Sequence, residues 1–224
     1  MSARPRARAL LLDLDGTLLD TAPDMGRALN RLRLEEGRDP LPASTIRPQV
    51  SHGSAALVRL GFGVDAGAEF ERLRQRFLDL YAESIAEDTR MFEGFEAVLK
   101  AAEDRRLPWG IVTNKPGWLT TPLVRALALD GRAGCVISGD TYPERKPHPL
   151  PLLHAAAQLE RTAAECLYVG DAERDIVAGR AAGMRTVAVR FGYLAVGEDP
   201  AAWGPDEIIA SPAGLLDFLA LDAP

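Results

Sequence analysis

The sequence predicts an α/β protein, with a parallel sheet flanked by helices and a small all-helical cap inserted after the first strand. Two patterns predict this fold class. Short apolar runs alternate with helical patterns along most of the 224 residues, which is typical of a parallel sheet covered on both faces. Residues 20–90 break the alternation, because they show helical patterns only. With 47% hydrophobic residues, the chain can bury a core without disulfides or metals.

Six apolar runs have the length of buried strands. They lie at residues 7–12, 109–113, 135–139, 166–170, 186–189 and, more weakly, 207–210. Helical patterns follow most of them, at residues 94–106, 117–129, 149–159, 172–182 and 212–219. The first eight residues are rich in Arg, and we expect them to form a frayed, solvated tail.

The helical segment begins at Thr21, where Thr-Ala-Pro-Asp is a typical helix start, and Gly37 ends this first helix. Turns are predicted at residues 37–48 and 61–67, which carry Pro and Gly. A longer amphipathic helix follows, with apolar residues at near-helical spacing, namely Phe70, Leu73, Phe77, Leu80 and Ile85. The sequence therefore predicts a core of residues 1–19 and 91–224 and a helical cap of residues 20–90.

Charge and cysteine content exclude several classes of partner. The 32 acidic residues outnumber the 26 basic ones, for a net charge of −6, so we expect no nucleic acid and no anionic membrane as partner. No apolar stretch approaches the roughly 18 residues of a membrane span. Cys135 and Cys166 each lie in an apolar run, which predicts buried, reduced thiols and a cytoplasmic protein.

Polar motifs follow the first two long strands of the predicted core. Asp13 and Asp15 come directly after the first strand, and in extended chain two residues at i and i+2 point to the same side. By itself the motif also fits an Asp-Gly turn. Thr113 and Asn114 end the second of these strands, where such residues commonly cap the next helix.

Two further motifs follow later strands. Lys146 precedes a predicted helix. Most lysines are solvated surface residues, but only three of the 26 basic residues in this chain are Lys, which slightly favours a specific role for Lys146. Asp171 and Asp175 follow the strand at 166–170, where they also fit an N-cap and an exposed helix position. Because the carboxyl ends of parallel strands share one edge of a sheet, four such motifs together predict one functional crevice.

The order DxDGT, Thr, Lys, GDxxxD resembles that of phosphatases of the haloacid dehalogenase (HAD) superfamily, and the resemblance spans essentially the whole chain. It implies a HAD-like Rossmannoid core with a helical cap, and hydrolysis of a small phosphate ester through an aspartyl phosphate. Asp13 would be the nucleophile and Asp15 the general acid and base. Thr113, Asn114 and Lys146 would hold the phosphoryl group.

The resemblance also implies a Mg²⁺ cofactor, since a hard dication offsets repulsion between a carboxylate and a phosphate dianion. Its ligands would be Asp13, Asp171 and the backbone carbonyl of Asp15. Asp175 would act from outside this set or through a metal-bound water. Dehalogenases lack an acid at the position of Asp15, so dehalogenation is disfavoured.

The general resemblance is to phosphoglycolate phosphatases, while residues 109–116, 189–193 and 199–204 resemble N-acetylmuramic acid 6-phosphate phosphatases of cell-wall recycling. The sequence leaves both substrates open. A sugar-phosphate mutase with the same core is an alternative, and a non-enzymatic phosphate-binding protein is a further one. We expect a monomer or weak homodimer.

Several other polar side chains have less definite expectations. The turn-like segment 50–54, with His52, could present hydrogen-bond donors to the substrate, and Arg47 could bind a second anionic group. Trp118 could line the entrance, although an aromatic residue at a helix start more often packs. His148 and His154 have no metal-type spacing and are expected on a loop and a helix surface.

Overall fold

The structure, a computed structural model, describes residues 6–219. The chain starts in β1 (Ala9–Leu12), continues through the two-residue strand β2 (Leu19–Asp20) and then enters the inserted helices. These are α1 (Ala22–Glu35), α2 (Ala43–Ile46), a 3₁₀ helix (Arg47–His52), α3 (Gly53–Phe62) and α4 (Gly67–Glu83). The two-residue strand β3 (Arg90–Met91) then returns the chain to the sheet.

The remaining elements alternate between helix and strand, as predicted. They are α5 (Phe95–Asp104), β4 (Trp109–Val112), α6 (Gly117–Ala126), β5 (Cys135–Ile137), α7 (Leu150–Gln158), β6 (Cys166–Gly170), α8 (Glu173–Ala181), β7 (Arg185–Val189) and β8 (Glu207–Ile209). The predicted α/β class is confirmed, with small shifts at the element ends. None of the helices between residues 6 and 219 combines the length and apolar character needed to cross a bilayer.

Of two predictions at the chain ends, one is confirmed and one is wrong. The helical pattern near residues 212–219 forms a 3₁₀ helix at Pro212–Asp217. The predicted frayed tail is wrong for Ala7 and Arg8: Ala7 is buried and bridges Leu219, and the Arg8 backbone N–H donates to the Glu165 carbonyl at 2.7 Å. Residues 1–5 of that predicted tail lie outside the described residues.

The sheet brings three polar motifs side by side. Its order is β5-β4-β1-β6-β7-β8, all parallel, with Leu10 of β1 opposite Trp109 of β4 and Leu167 of β6. All four residues of β1 are fully buried, as expected for a strand with helices on both faces. Because β4, β1 and β6 are neighbours, the residues that follow them meet at one edge.

The inserted helices bury a second apolar cluster. Gly37, with a φ of +70°, follows α1 and allows the Arg38 N–H to reach the Arg33 carbonyl at 2.8 Å, so the predicted helix end is confirmed. The predicted turn at 37–48 differs, because α2 and the start of the 3₁₀ helix lie within it. Helices α1, α3 and α4 pack through Leu29, Leu32, Leu57, Phe62, Phe70, Leu73, Phe77 and Leu80.

A short ribbon lies where the helical insertion leaves and rejoins the core. Strands β2 and β3 pair antiparallel, with Leu19 opposite Met91 and Asp20 opposite Arg90. This ribbon was not predicted, because two-residue strands are too short to show an alternating pattern. The division into core and cap at residues 19/20 and 90/91 stays a prediction, and the ribbon falls at these points.

Asp24, in the first turn of α1, stabilises the same junction through hydrogen bonds. Its side chain is fully buried and accepts hydrogen bonds from the backbone N–H groups of Asp88 and Thr89, each at 2.9 Å, and from Thr89 Oγ1 at 2.6 Å. Arg27 pairs with the same carboxylate. A single buried anion thus joins the start of α1 to the segment that precedes β3.

We expect Asp24→Ala to lower the free energy of unfolding by about 3 kcal/mol or more, because it leaves buried donors unpaired and removes charge-assisted hydrogen bonds. Urea unfolding measures the change. The matched control Asp65→Ala removes an exposed carboxylate and should stay within about 0.5 kcal/mol of the wild type. Equal stability of the two variants would contradict this role of Asp24.

Candidate active site

Three buried side chains follow neighbouring strands at one edge of the sheet. Asp13 follows β1, Thr113 follows β4 and Asp171 follows β6, and each is at most 4% exposed. Gly16 permits this arrangement, because its φ is +88° and a Cβ there would lie 2.1 Å from Asp171 Oδ2. The predicted convergence of the motifs is therefore observed in the structure.

Lys146 reaches into this group from the loop before α7. Its ammonium is buried and donates to Asp13 Oδ1 at 2.7 Å, to the Val112 carbonyl at 2.8 Å and to the Tyr168 hydroxyl at 2.8 Å. It also lies 2.8 Å from Asp175 Oδ1. Lys146 is thus not a solvated surface lysine, and its ammonium forms an ion pair with Asp13.

Thr113 and Asn114 occupy the loop that faces Lys146. The Asn114 amide nitrogen donates to the Lys146 carbonyl at 2.8 Å, and its oxygen accepts from the Lys146 N–H at 3.1 Å. Asn114 therefore holds the Lys146 backbone in place, and its predicted contact with phosphate stays a prediction. The Thr113 hydroxyl accepts from the Lys115 N–H at 3.1 Å and lines the cavity described below.

Asp15 has different partners from Asp13. Its Oδ1 accepts from Lys115 Nζ at 2.9 Å and from Thr21 Oγ1 at 2.7 Å. Within residues 6–219, no hydrogen bond reaches Asp15 Oδ2. Burial acts to lower the pKa of Lys115, but Asp15 and the Tyr81 hydroxyl raise it above its ordinary value, so Lys115 stays a cation.

No role was predicted for Lys115, although the sequence carries a signal for one. Only three lysines occur in the chain, and two of them, Lys115 and Lys146, contact the two acids of the first motif. Tyr168 and Tyr193 were also missed, while Ser51 lies in the segment 50–54 that was expected to present donors to the substrate. The contacts of these residues with the site join residues far apart in sequence, which no local pattern indicates.

Three carboxylates form a buried acidic cluster. Asp13, Asp171 and Asp175 each offer an oxygen within 4.8 Å of the others. Burial first, and then the neighbouring carboxylates, raise the pKa of Asp13 to about 6 and that of Asp171 to about 7; the Lys146 ammonium opposes the rise at Asp13. Without a further cation, the site disfavours full ionisation.

Asp171 and Asp175 are held by different parts of the chain. Asp171 Oδ2 accepts from the Ser51 hydroxyl at 2.6 Å and from the Tyr193 N–H at 3.0 Å. Asp175, fully buried in the first turn of α8, accepts from the Ala172 N–H at 3.2 Å. Ser51 belongs to the inserted segment, so a side chain from the cap region reaches the acidic cluster.

The cluster fits a divalent cation. Asp171 Oδ1 is buried and has no hydrogen-bond partner, which leaves an acceptor available beside two other carboxylates. Carboxylate oxygens are the ligands that hard dications prefer. Asp13 and Asp171 are thus brought together as expected. Whether Asp175 and the Asp15 carbonyl also bind such an ion stays a prediction.

A cavity of about 670 Å³ opens beside these groups, between the inserted helices and the sheet edge. Its core wall includes Asp13, Asp15, Thr113 and Lys146. Its other wall comes from the helical insertion, through Val50, Ser51, His52, Ser54, Arg59, Phe70, Arg74, Leu78 and Tyr81. The predicted segment 50–54 does face the functional crevice, although it continues a 3₁₀ helix into α3 and is not a simple turn.

The remaining predicted polar residues lie elsewhere. Arg47 contacts both Asp20 carboxylate oxygens at 2.9 Å and stacks 4.8 Å from the Tyr193 ring centre. Trp118 is 48% exposed and is not part of the cavity wall. His148 accepts from the Leu150 N–H, and His154 stacks on a tyrosine at the surface of α7, as expected for both.

Comparison with known proteins supports the inferred family. The sequence model of the haloacid dehalogenase-like hydrolases matches residues 10–189. A phosphoglycolate phosphatase of Xanthomonas campestris is 43% identical over 218 residues, covering 97% of this chain and 98% of its own. An N-acetylmuramic acid 6-phosphate phosphatase of Pseudomonas aeruginosa is 41% identical over 217 residues, covering 96% of each chain.

The fold agrees as well. The crystal structure of a putative phosphoglycolate phosphatase from Lactobacillus delbrueckii superimposes with a TM-score of 0.84 at 23% identity, covering 96% of this chain and 99% of its own. Both sequence relatives carry phosphatase names, as the motif order led us to expect. The family model matches residues 10–189, and the relative from Xanthomonas campestris is 43% identical over 97% of this chain. The chain therefore belongs to the haloacid dehalogenase-like hydrolases.

Proposed function

We propose that this protein is a Mg²⁺-dependent phosphatase that hydrolyses a small phosphomonoester through an aspartyl phosphate on Asp13. One observation carries the proposal: Asp13 lines the cavity with the Lys146 ammonium 2.7 Å from its Oδ1 and two more carboxylates beside it. This arrangement pairs a nucleophile with a cation and a candidate metal site. Phosphoryl transfer requires both nucleophile positioning and charge neutralisation.

The two acids of the first motif can divide the chemistry. An Asp13 carboxylate oxygen attacks phosphorus, the bond to the leaving oxygen breaks, and Asp15 gives that oxygen its proton. Asp15 then takes a proton from water as the water oxygen bonds to phosphorus, which breaks the Asp13–phosphate bond and releases phosphate. Lys115 and Thr21 hold Asp15 Oδ1, so the rotation of this carboxyl group is fixed while Oδ2 remains available.

Charge supports the metal in this proposal. Three carboxylates surround the place where a phosphate dianion would enter, while Lys146 is the one ammonium in direct contact with them among the described residues. A bound Mg²⁺ would supply the missing positive charge and screen Asp13 from the phosphate. Asp13 and Asp171 would hold it, with Asp175 and the Asp15 carbonyl as further candidates.

The names of the relatives provide two candidate substrates, 2-phosphoglycolate and N-acetylmuramic acid 6-phosphate. The cavity of about 670 Å³ supports the larger one. Sites of roughly 300–1,000 Å³ enclose drug-sized ligands, and a two-carbon acid would leave most of this volume to water. Water left in the site would weaken the electrostatic interactions on which phosphoryl transfer depends, so a substrate that fills the cavity is favoured.

The thiols support a cytoplasmic location. Cys135 and Cys166 are both free and buried, and burial raises their pKa to about 12 and about 11. Neither is suited to redox chemistry or to a disulfide, which agrees with a protein that works in a reducing compartment.

Asp13→Asn should reduce phosphate release more than about 10⁴-fold, because the amide is a poor nucleophile and cannot form the acyl phosphate. Phosphate release from a panel of sugar and organic-acid phosphates measures this loss, with EDTA abolishing the wild-type signal. Asp65→Asn, an exposed carboxylate on the loop before α4, serves as the control and should retain full activity. Full activity of Asp13→Asn, or wild-type activity that EDTA leaves intact, would refute the mechanism.

The metal-free protein should become less stable as pH rises from about 4 to about 7. Asp13 and Asp171 keep protons in the folded state at pH values where the unfolded chain has released them, so ionisation favours unfolding. The melting temperature in EDTA should therefore be lower at pH 8 than at pH 5, and Mg²⁺ should restore it at pH 8.

Asp171→Asn isolates the contribution of the cluster to this pH dependence. Its melting temperature in EDTA should fall less with pH than that of the wild type, and Mg²⁺ should raise it less, since one ligand and one repulsive charge are gone. Asp65→Asn should behave like the wild type. An unchanged pH dependence in Asp171→Asn would show that the acidic cluster does not govern it.

The enzyme should hydrolyse N-acetylmuramic acid 6-phosphate with a kcat/KM at least roughly 10²-fold above that for 2-phosphoglycolate, because contacts remote from phosphorus lower the barrier. N-acetylglucosamine 6-phosphate, which lacks the lactyl carboxylate, separates the effect of size from that of the second charge. A higher kcat/KM for 2-phosphoglycolate would contradict the size argument and leave the phosphatase assignment intact.

A further inference from the structure

Arg174 is a cation of the cavity wall that has no assigned role. It is the second residue of α8, between Asp171 and Asp175, and its half-buried side chain lines the cavity. In the part of the chain that the structure describes, its guanidinium makes no hydrogen bond and no ion pair. The family motif GDxxxD leaves this position variable, so the resemblance assigns it nothing.

The other cationic side chains of the same wall either form ion pairs with carboxylates or are exposed to solvent. Lys115 pairs with Asp15, Lys146 with Asp13, and Arg74 with Glu71. Arg59 and Arg145 have no carboxylate partner among residues 6–219, but both are exposed to solvent. Arg174 differs from them, because it is half-buried and its guanidinium makes no hydrogen bond or ion pair with residues 6–219.

Arg174 lies on the same cavity wall as the groups proposed to act on the phosphate. Asp13, Thr113 and Lys146 line that cavity with it, and Asp171 and Asp175 lie on either side of it in the sequence. Its five donors are free of protein partners within residues 6–219, and the planar guanidinium fork matches two oxygens of a phosphoryl group.

We propose that Arg174 is a phosphate-binding residue whose guanidinium donates to the oxygens of the transferring phosphoryl group. The inference rests on the proposed phosphatase function and adds a second cation to Lys146 at the same group. It assigns Arg174 to the part that all substrates share, and not to the leaving group.

Arg174→Gln should lower kcat/KM by about 10- to 100-fold, the change expected for loss of charge-assisted hydrogen bonds, and it should do so for every ester tested, p-nitrophenyl phosphate included. The inhibition constant of inorganic phosphate should rise by a similar factor. Arg174→Lys should recover part of both losses, because it keeps the charge but lacks the fork. The increase in melting temperature on adding Mg²⁺ should persist in both variants.

Arg180→Gln is the matched control, since Arg180 is an exposed arginine on the same helix that contacts only the Gly204 carbonyl region. Its kinetics should equal those of the wild type. Unchanged phosphate inhibition in Arg174→Gln would overturn the proposal. So would a loss restricted to sugar esters with p-nitrophenyl phosphate unaffected, which would place Arg174 at the leaving group.

Calorimetry separates this inference from the proposed function. Inorganic phosphate is titrated into Mg²⁺-loaded wild type and Arg174→Gln, with no turnover required. Weaker binding to the variant supports Arg174 even if no ester were hydrolysed, whereas equal binding refutes it. A wild type that binds phosphate but never releases it from esters would refute the proposed function alone.

Discussion

Mutual repulsion among Asp13, Asp171 and Asp175 is the constraint on which the rest of the site depends. Three buried carboxylates within 4.8 Å cannot all ionise without compensating charge, as the raised pKa values of Asp13 and Asp171 indicate. Lys146 supplies part of that charge, and the Asn114 side chain fixes the Lys146 backbone. The sheet makes the cluster possible, because strand ends hold the acids more firmly than loops alone would.

The same constraint links the inserted helices to the chemistry. Ser51 donates to Asp171 Oδ2, which leaves Oδ1 as the free acceptor for a cation. Tyr81 of α4 lies with its ring centre 4.6 Å from Lys115 Nζ, and Lys115 in turn holds Asp15. Each of these contacts pairs a cap-region side chain with a group of the sheet edge. Displacement of the inserted helices would therefore alter the surroundings of both Asp13 and Asp15, so shielding of the site and its electrostatics change together.

Sequence patterns indicated those parts of the molecule that local rules determine. The strands preceding Asp13, Thr113 and Asp171 are apolar runs that end in polar motifs, and parallel topology alone then brings the motifs together. Segment 50–54 was expected to present donors, but the partner of Ser51, Asp171, was not predicted because that contact spans 120 residues. The β2–β3 ribbon was not predicted because each strand is shorter than one period of alternation. Such contacts are determined by packing of the cap region on the core, which periodicity does not report.

Asp13 and Asp15 show how two identical side chains, two residues apart, can acquire different surroundings. Asp13 is only 3% exposed and lies beside two other acids and Lys146, a place that favours binding of a further cation. The Asp15 side chain is 16% exposed, stands outside the acidic cluster and is bonded through one oxygen only. The other oxygen can bind a proton while Oδ1 keeps its hydrogen bonds from Lys115 and Thr21. The surroundings, rather than the residue type, therefore distinguish the proposed nucleophile from the proposed proton carrier.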